Sequence, residues 1–194
     1  MQKIIVAITG ASGAIYAQCL LQRLCEQRNE WAEIALVVSD CGQQVFIHEL
    51  GQQAWNALLS LPVRVYDRHD FFAPIASGSA GYEAMVVVPC SMTTLARIAH
   101  GIADNLIARA ADVMLKERKR LVVVPRETPY SLIHLQNMQR ITEAGGIVCP
   151  ASPAFYSHPA TLAELSNLLI DRVLKLAGAQ VQGFEWGALE NKIV

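Results

Sequence analysis

The sequence predicts an α/β domain built on a mostly parallel sheet with helices on both sides. Two observations carry this. Short β-branched runs alternate with segments of helical period along the whole chain, and the runs are apolar at consecutive positions, as strands buried on both faces are. Small or hydroxyl residues follow the first, second and fourth runs where helices begin, the punctuation of strand-to-helix turns joined by right-handed crossovers.

In order, Ile4 to Ile8 reads as a buried strand, followed by a helix with Ala17, Leu20, Leu21 and Leu24 on one face. Ile34 to Val38 is a second strand, with a helical stretch from about Cys41. Val63 to Tyr66 forms a short strand, Met85 to Val88 a buried one, and Leu121 to Val124 another. Between those two, one long helical segment runs from about Ala103 to Arg118, free of internal Gly and Pro. Leu132, Leu135, Met138 and Ile141 mark the next helix, which Gly145-Gly146 ends before a last strand at Ile147 to Cys149. Leu162, Leu165, Leu169, Val173 and Leu176 stripe the final helix. These elements make one domain, 1–178, with a tail, 179–194, whose Phe184 and Trp186 suit packing on a neighbouring subunit or a loose end.

Composition narrows the function. Of 194 residues, 53% are hydrophobic and 17% charged, an imbalance that favours large subunit interfaces over a lone well-filled core. The net charge of −1, from 16 basic and 17 acidic residues, comes without a basic stripe, which argues against nucleic acid. No apolar run approaches the roughly 20 residues of a membrane span. The start of the chain does not read as a signal peptide. Five cysteines, Cys19, Cys25, Cys41, Cys90 and Cys149, include no CxxC pair, so neither disulfides nor zinc is expected. The expectation is a cytoplasmic, reduced protein. The five histidines show no ligand spacing and read as surface or packing residues.

In an open parallel sheet, ligands bind beyond the carboxyl ends of the strands, so the residues there matter most. After the first strand comes Gly10-Ala11-Ser12-Gly13-Ala14, where exposed amides at a helix start can meet an anion. A plain tight turn explains these glycines equally well. Ser39 follows the second strand, and Cys90-Ser91-Met92-Thr93-Thr94 follows the fourth, with more hydroxyls than one cap requires. Arg126-Glu127 follows the fifth, and a Pro-broken loop ending in Phe155-Tyr156 follows the sixth. Five strand ends thus place hydroxyls, an Arg–Glu pair and a Tyr along one rim.

Cations add to this set. Arg109 and Lys116, seven apart, share a helix face and could meet a common anion, or could instead pair with Asp112 and Glu117 on a solvated face. Arg172 falls on or beside the apolar stripe of the last helix, where it needs a partner: a phosphate, Glu164 or solvent.

The segments Gly10-Ala-Ser-Gly-Ala, Pro89-Cys-Ser-Met-Thr-Thr-Leu, Asp104-Asn-Leu-Ile-Ala-Arg-Ala-Ala-Asp-Val, Leu115-Lys-Glu-Arg, Val124-Pro-Arg-Glu-Thr-Pro and Pro153-Ala-Phe-Tyr resemble the UbiX/Pad-type flavin prenyltransferases. The resemblance runs from the first strand to Gly178. It implies a flavodoxin-like, Rossmann-type three-layer fold assembled as a dodecamer of trimers. It implies a transferase that joins a dimethylallyl group from dimethylallyl phosphate to N5 and C6 of reduced FMN without a metal, and that supplies prenylated FMN to a UbiD-type decarboxylase. By matching position, Gly10, Ala11, Ser12, Ser39, Ser91, Met92, Thr93, Thr94 and Arg126 would hold FMN. Arg109, Lys116, Arg126, Tyr156 and Arg172 would hold the donor phosphate. Ser12, Glu49 and Glu127 would be catalytic, with Ser12 near N5 and the carboxylates serving proton transfers.

Two departures from the family pattern stand out: Phe71-Phe72 where some relatives carry a Trp, and Asp40 where relatives often have a basic residue. The rival readings are an FMN-dependent cysteine decarboxylase, which expects an Asn-containing stretch where Pro74-Ile-Ala-Ser-Gly-Ser stands, and a non-catalytic FMN-binding module.

Overall fold

A computed structural model describes residues 2–27 and 30–181. Among these, six strands form one parallel sheet: β1 (Gln2–Ile8), β2 (Trp31–Val38), β3 (Arg64–Tyr66), β4 (Ala84–Cys90), β5 (Arg120–Pro125) and β6 (Ile147–Val148). Their spatial order is β3-β2-β1-β4-β5-β6, and every pairing is parallel. The chain winds outward from β1 in one direction and then, from β4, in the other. The switch point between β1 and β4 opens a crevice at the strands' carboxyl ends.

Alternation along β1 explains the three layers. Ile4, Val6 and Ile8 face one side, packing with α1 (Ala14–Glu26), α2 (Asp40–Leu59) and α6 (Leu162–Ala177). Ile5 and Ala7 face the other, with α3 (Met92–Ala99), α4 (Leu106–Lys116) and α5 (Leu132–Glu143). On α1, Ala17, Leu20, Leu21 and Leu24 are fully buried, as their spacing predicts. Burying each leucine contributes roughly 1.5–3 kcal/mol before entropy is counted.

Three expectations need correction. The long helix over 103–118 is shorter, and a separate α3 precedes it. The chain turns at Gly101, whose φ is +66°, and α4 starts only where the Asn105 side chain accepts from the Ala108 N–H at 3.0 Å. On α5, Ile141 is buried, but Leu132 is 70% exposed and Leu135 50%. The helix lies near the sheet edge, packed on α3 and β6, and the start of its apolar stripe is left exposed among the described residues. Arg172 on α6 is exposed rather than drawn toward the core. The tail residues Phe184 and Trp186 lie outside the described residues.

Candidate active site

The crevice is built on a buried hydroxyl that the sequence reading passed over. Thr9, directly after β1, donates through Oγ1 to the Pro89 carbonyl at 2.8 Å and accepts from the Ser91 N–H at 2.8 Å. One side chain therefore fixes the start of the Ser91–Thr94 segment against the end of β1. The neighbouring loop is tied in by close backbone approach. A Cβ on Gly10 would lie 2.5 Å from the Cys41 Cβ, and the Ser39 N–H donates to the Ile8 carbonyl at 3.0 Å.

Beyond Thr9, Gly13 adopts φ +110° and begins α1 without a side-chain cap of its own. Glu49 supplies the cap from α2. Its carboxylate accepts from the Gly13 N–H at 3.0 and 3.1 Å and from the Ala14 N–H at 2.7 Å. Partial burial alone would raise the Glu49 pKa. The Ser12 hydroxyl, the Ala14 and Gly13 amides and the Arg126 guanidinium outweigh it and hold the carboxyl below the ordinary carboxylate range. Ser12, Glu49 and Arg126 thus form one electrostatic group, although they come from the turn after β1, from α2 and from the end of β5.

On the other side of Gly10 is a cavity of about 380 Å³ lined by Ser39, Ser91, Thr93 and Thr94 among others. Ser39 caps α2 by accepting from Gly42 N–H at 3.0 Å. Ser91 caps α3, accepting from Thr94 N–H at 3.3 Å while its hydroxyl lies 3.1 Å from that of Thr94. Thr93 has no capping role. Gly10 and the expected hydroxyls therefore meet in one cavity, with Ala11 buried and Ser12 exposed beside it. Met92 differs in kind, for its side chain is packed in the core under α3. Arg68, Arg97 and Asn105 also line this cavity. Asn105 carried a sequence signal, a capping residue before an apolar run; Arg68, in a loop after β3, carried none.

The residues expected around the donor phosphate come from several places in the fold. Arg126 is at the rim, its N–H donating to the Cys90 carbonyl at 3.3 Å. Arg109 donates to the Asp112 carboxylate at 2.8 Å and to the Ala76 carbonyl at 3.1 Å. Lys116 pairs with Glu117, so the solvated pairing is the one this chain shows for both cations. Because α4 starts at the rim and runs back toward the strands' starting edge, Lys116 lies about 16 Å along the helix from Asn105. Arg172 lies near Cys149, the residue after β6, and makes no ion pair among the described residues. Burial raises the Cys149 pKa, partly offset by that guanidinium. Tyr156 is exposed, and the Glu127 carboxylate accepts from the Thr128 N–H at 3.0 Å.

Comparison with known proteins decides the family. The Flavoprotein family model matches residues 1–174. The flavin prenyltransferase UbiX of Methanocaldococcus jannaschii is 44% identical over 188 residues, 96% of this chain and 100% of its own length. This chain belongs to the UbiX flavin prenyltransferase family. Two solved UbiX-type structures agree. The dodecameric FMN-dependent UbiX-like decarboxylase from Escherichia coli O157:H7 is 40% identical with a TM-score of 0.87, covering 95% of this chain and 99% of that one. AnUbiX (PadA1), solved with FMN and dimethylallyl pyrophosphate, is 40% identical with a TM-score of 0.82 at the same coverage. Among the described residues, no group of three or more His, Cys, Asp or Glu could hold a metal ion, and no helix is long and apolar enough to cross a membrane.

Proposed function

We propose that the protein transfers a dimethylallyl group from a dimethylallyl phosphate to reduced FMN. The observation that carries this is a cavity lined by Gly10, Ser39, Ser91, Thr93 and Thr94 in a chain of the UbiX family, with Ser12 of the Ser12–Glu49–Arg126 group two residues along the chain from Gly10. The cavity suits a flavin. Its backbone is glycine where a Cβ would collide, and its donors are hydroxyls and helix-start amides of the kind that hold a phosphate ester.

Gly10, Ala11, Ser12, Ser39, Ser91, Thr93, Thr94 and Arg126 hold FMN in this reading, with Met92 supporting the floor from beneath. Reduced FMN, when bound, supplies the nucleophilic N5 and then C6. The chain's own work is electrostatic. As the allylic C–O bond breaks, charge grows on the departing phosphate, and fixed cations stabilise it where it develops. Arg126 is placed for this at the rim. Arg109, Lys116 and Arg172, with Tyr156, reach the phosphate from an adjoining copy. Glu127 accepts the proton lost at ring closure, and Ser12, bonded to an ionised Glu49, holds its hydroxyl toward the flavin edge.

This requires a homo-oligomer. The exposed apolar residues of α5 support one, and the dodecameric relative suggests its size. A UbiD-type decarboxylase as consumer of the product rests on the family resemblance alone.

The test is direct. Incubation with FMN, dithionite and dimethylallyl phosphate changes the flavin absorbance and adds one C5 unit to its mass, and the diphosphate run in parallel identifies the donor. A flavin whose mass stays unchanged with every short prenyl phosphate refutes the transferase reading.

A further inference from the structure

The rim cavity carries more charge than its hydroxyls require. Arg68 follows β3, and Arg97 lies one turn after Thr93 on α3; both line the cavity together with Asp40. Arg68 Nη2 donates to Asp40 Oδ2, and Arg97 Nε donates to Asp104 Oδ2 at 3.1 Å. Half-exposed ion pairs of this kind add little to folding stability, so stability does not explain two guanidiniums in one cavity. Their charges are cancelled by the two carboxylates. A net positive field nonetheless remains, from the first turns of α2, α3 and α4, whose caps Ser39, Ser91 and Asn105 all line the same space.

The Arg68–Asp40 pair is unequal. The Asp40 side chain is 63% exposed and that of Arg68 32%. Arg68 is also anchored by its backbone, its carbonyl accepting from the Leu106 N–H at 2.8 Å. The carboxylate is the partner free to leave.

We propose that Arg68 and Arg97 read the terminal phosphate of the flavin, and that this phosphate displaces Asp40 from Arg68. A planar guanidinium offers paired N–H groups that match phosphate oxygens as well as they match a carboxylate. Asp40 then acts as a built-in competitor. It keeps Arg68 oriented before binding and lowers the affinity for the dianion by its own charge. The inference rests on the flavin-binding reading of the rim and adds what discriminates FMN from riboflavin.

The experiment titrates the full chain, freed of flavin, with FMN and with riboflavin, following flavin fluorescence at low and high salt. Arg68→Gln and Arg97→Gln each weaken FMN about tenfold while changing riboflavin by less than about twofold. Asp40→Asn tightens FMN and leaves riboflavin unchanged. Unaltered riboflavin binding also shows that each variant is folded. Equal losses for both flavins, or FMN affinity unmoved in both Arg68→Gln and Asp40→Asn, overturn the inference and leave the flavin site standing. A wild-type chain that binds neither flavin overturns the reading of the rim itself, and this inference with it.

Discussion

Glu49, on α2, and Glu127, after β5, are prepared differently. Glu49 spends its lone pairs on the two amides that start α1, and its folded-state pKa is lowered from 4.5. A lowered pKa contributes stability above the unfolded value, which is lost as pH falls through the folded value. Glu49→Gln should therefore cost about 0.5–1 kcal/mol at neutral pH, the range for a charge at an exposed helix start. The gap between variant and wild-type melting temperatures should close as pH drops below about 4.5. A gap that persists at lower pH would show that the amide contacts, not the charge, carry the effect. Among the described residues, the Glu127 carboxylate makes only a local bond to the Thr128 N–H. Glu127→Gln should bind FMN normally and lose at least about 100-fold in product formation, the lower end for a general base. Undiminished product from that variant removes Glu127 from the mechanism.

At the scale of elements, the crevice depends on two strands ending in register, and Thr9 links them. Thr9→Val keeps the shape but strips the Ser91 N–H of its partner and leaves the Pro89 carbonyl with only the Thr9 N–H, at 3.2 Å. It should destabilise by about 1–3 kcal/mol in denaturant titration and weaken flavin binding, while Thr9→Ser retains both. Equal behaviour of the two variants would show that the hydroxyl does not position α3. The strands themselves were legible in the sequence because burial on both faces leaves uninterrupted apolar runs. The start of α4 was placed too early, at Ala103, although Asn105 carried the capping signal that opens the helix. Arg68 was not legible, because a loop cation announces nothing until β3 and α2 bring it against Asp40. The stripe on α5 was legible as apolar but not by direction, for a core face and an interface face share one period.

At the scale of the molecule, that outward stripe and the scattered cations raise one question. Leu132, Ile133 and Leu135 expose a contiguous apolar surface, and Phe72 is 99% exposed. Such surface is expected to be covered by another copy. Meanwhile Lys116 lies at the far end of α4 from its own rim, in the same neighbourhood as the Lys119–Glu83 pair before β5. The proposed role of Lys116 at the phosphate therefore calls for symmetry: an interface that buries α5 or the α4 end would set one copy's Lys116 against the next copy's Glu127. The claim has a quantitative consequence. Lys116→Ala and Glu127→Gln should each be inactive alone, and a random equal mixture of the two, reassembled together, should recover activity. A shared site draws an intact Glu127 from one copy and an intact Lys116 from its neighbour, so about a quarter of the sites are whole in such a mixture. A site built within a single chain can never be whole in it, because every chain carries one lesion. Recovery near a quarter of wild-type rate, in assemblies shown by light scattering to match the wild-type size, would place the donor phosphate between subunits; no recovery would place Lys116 and Glu127 in a site built within one chain, and a fully active Lys116→Ala would confine Lys116 to its pair with Glu117.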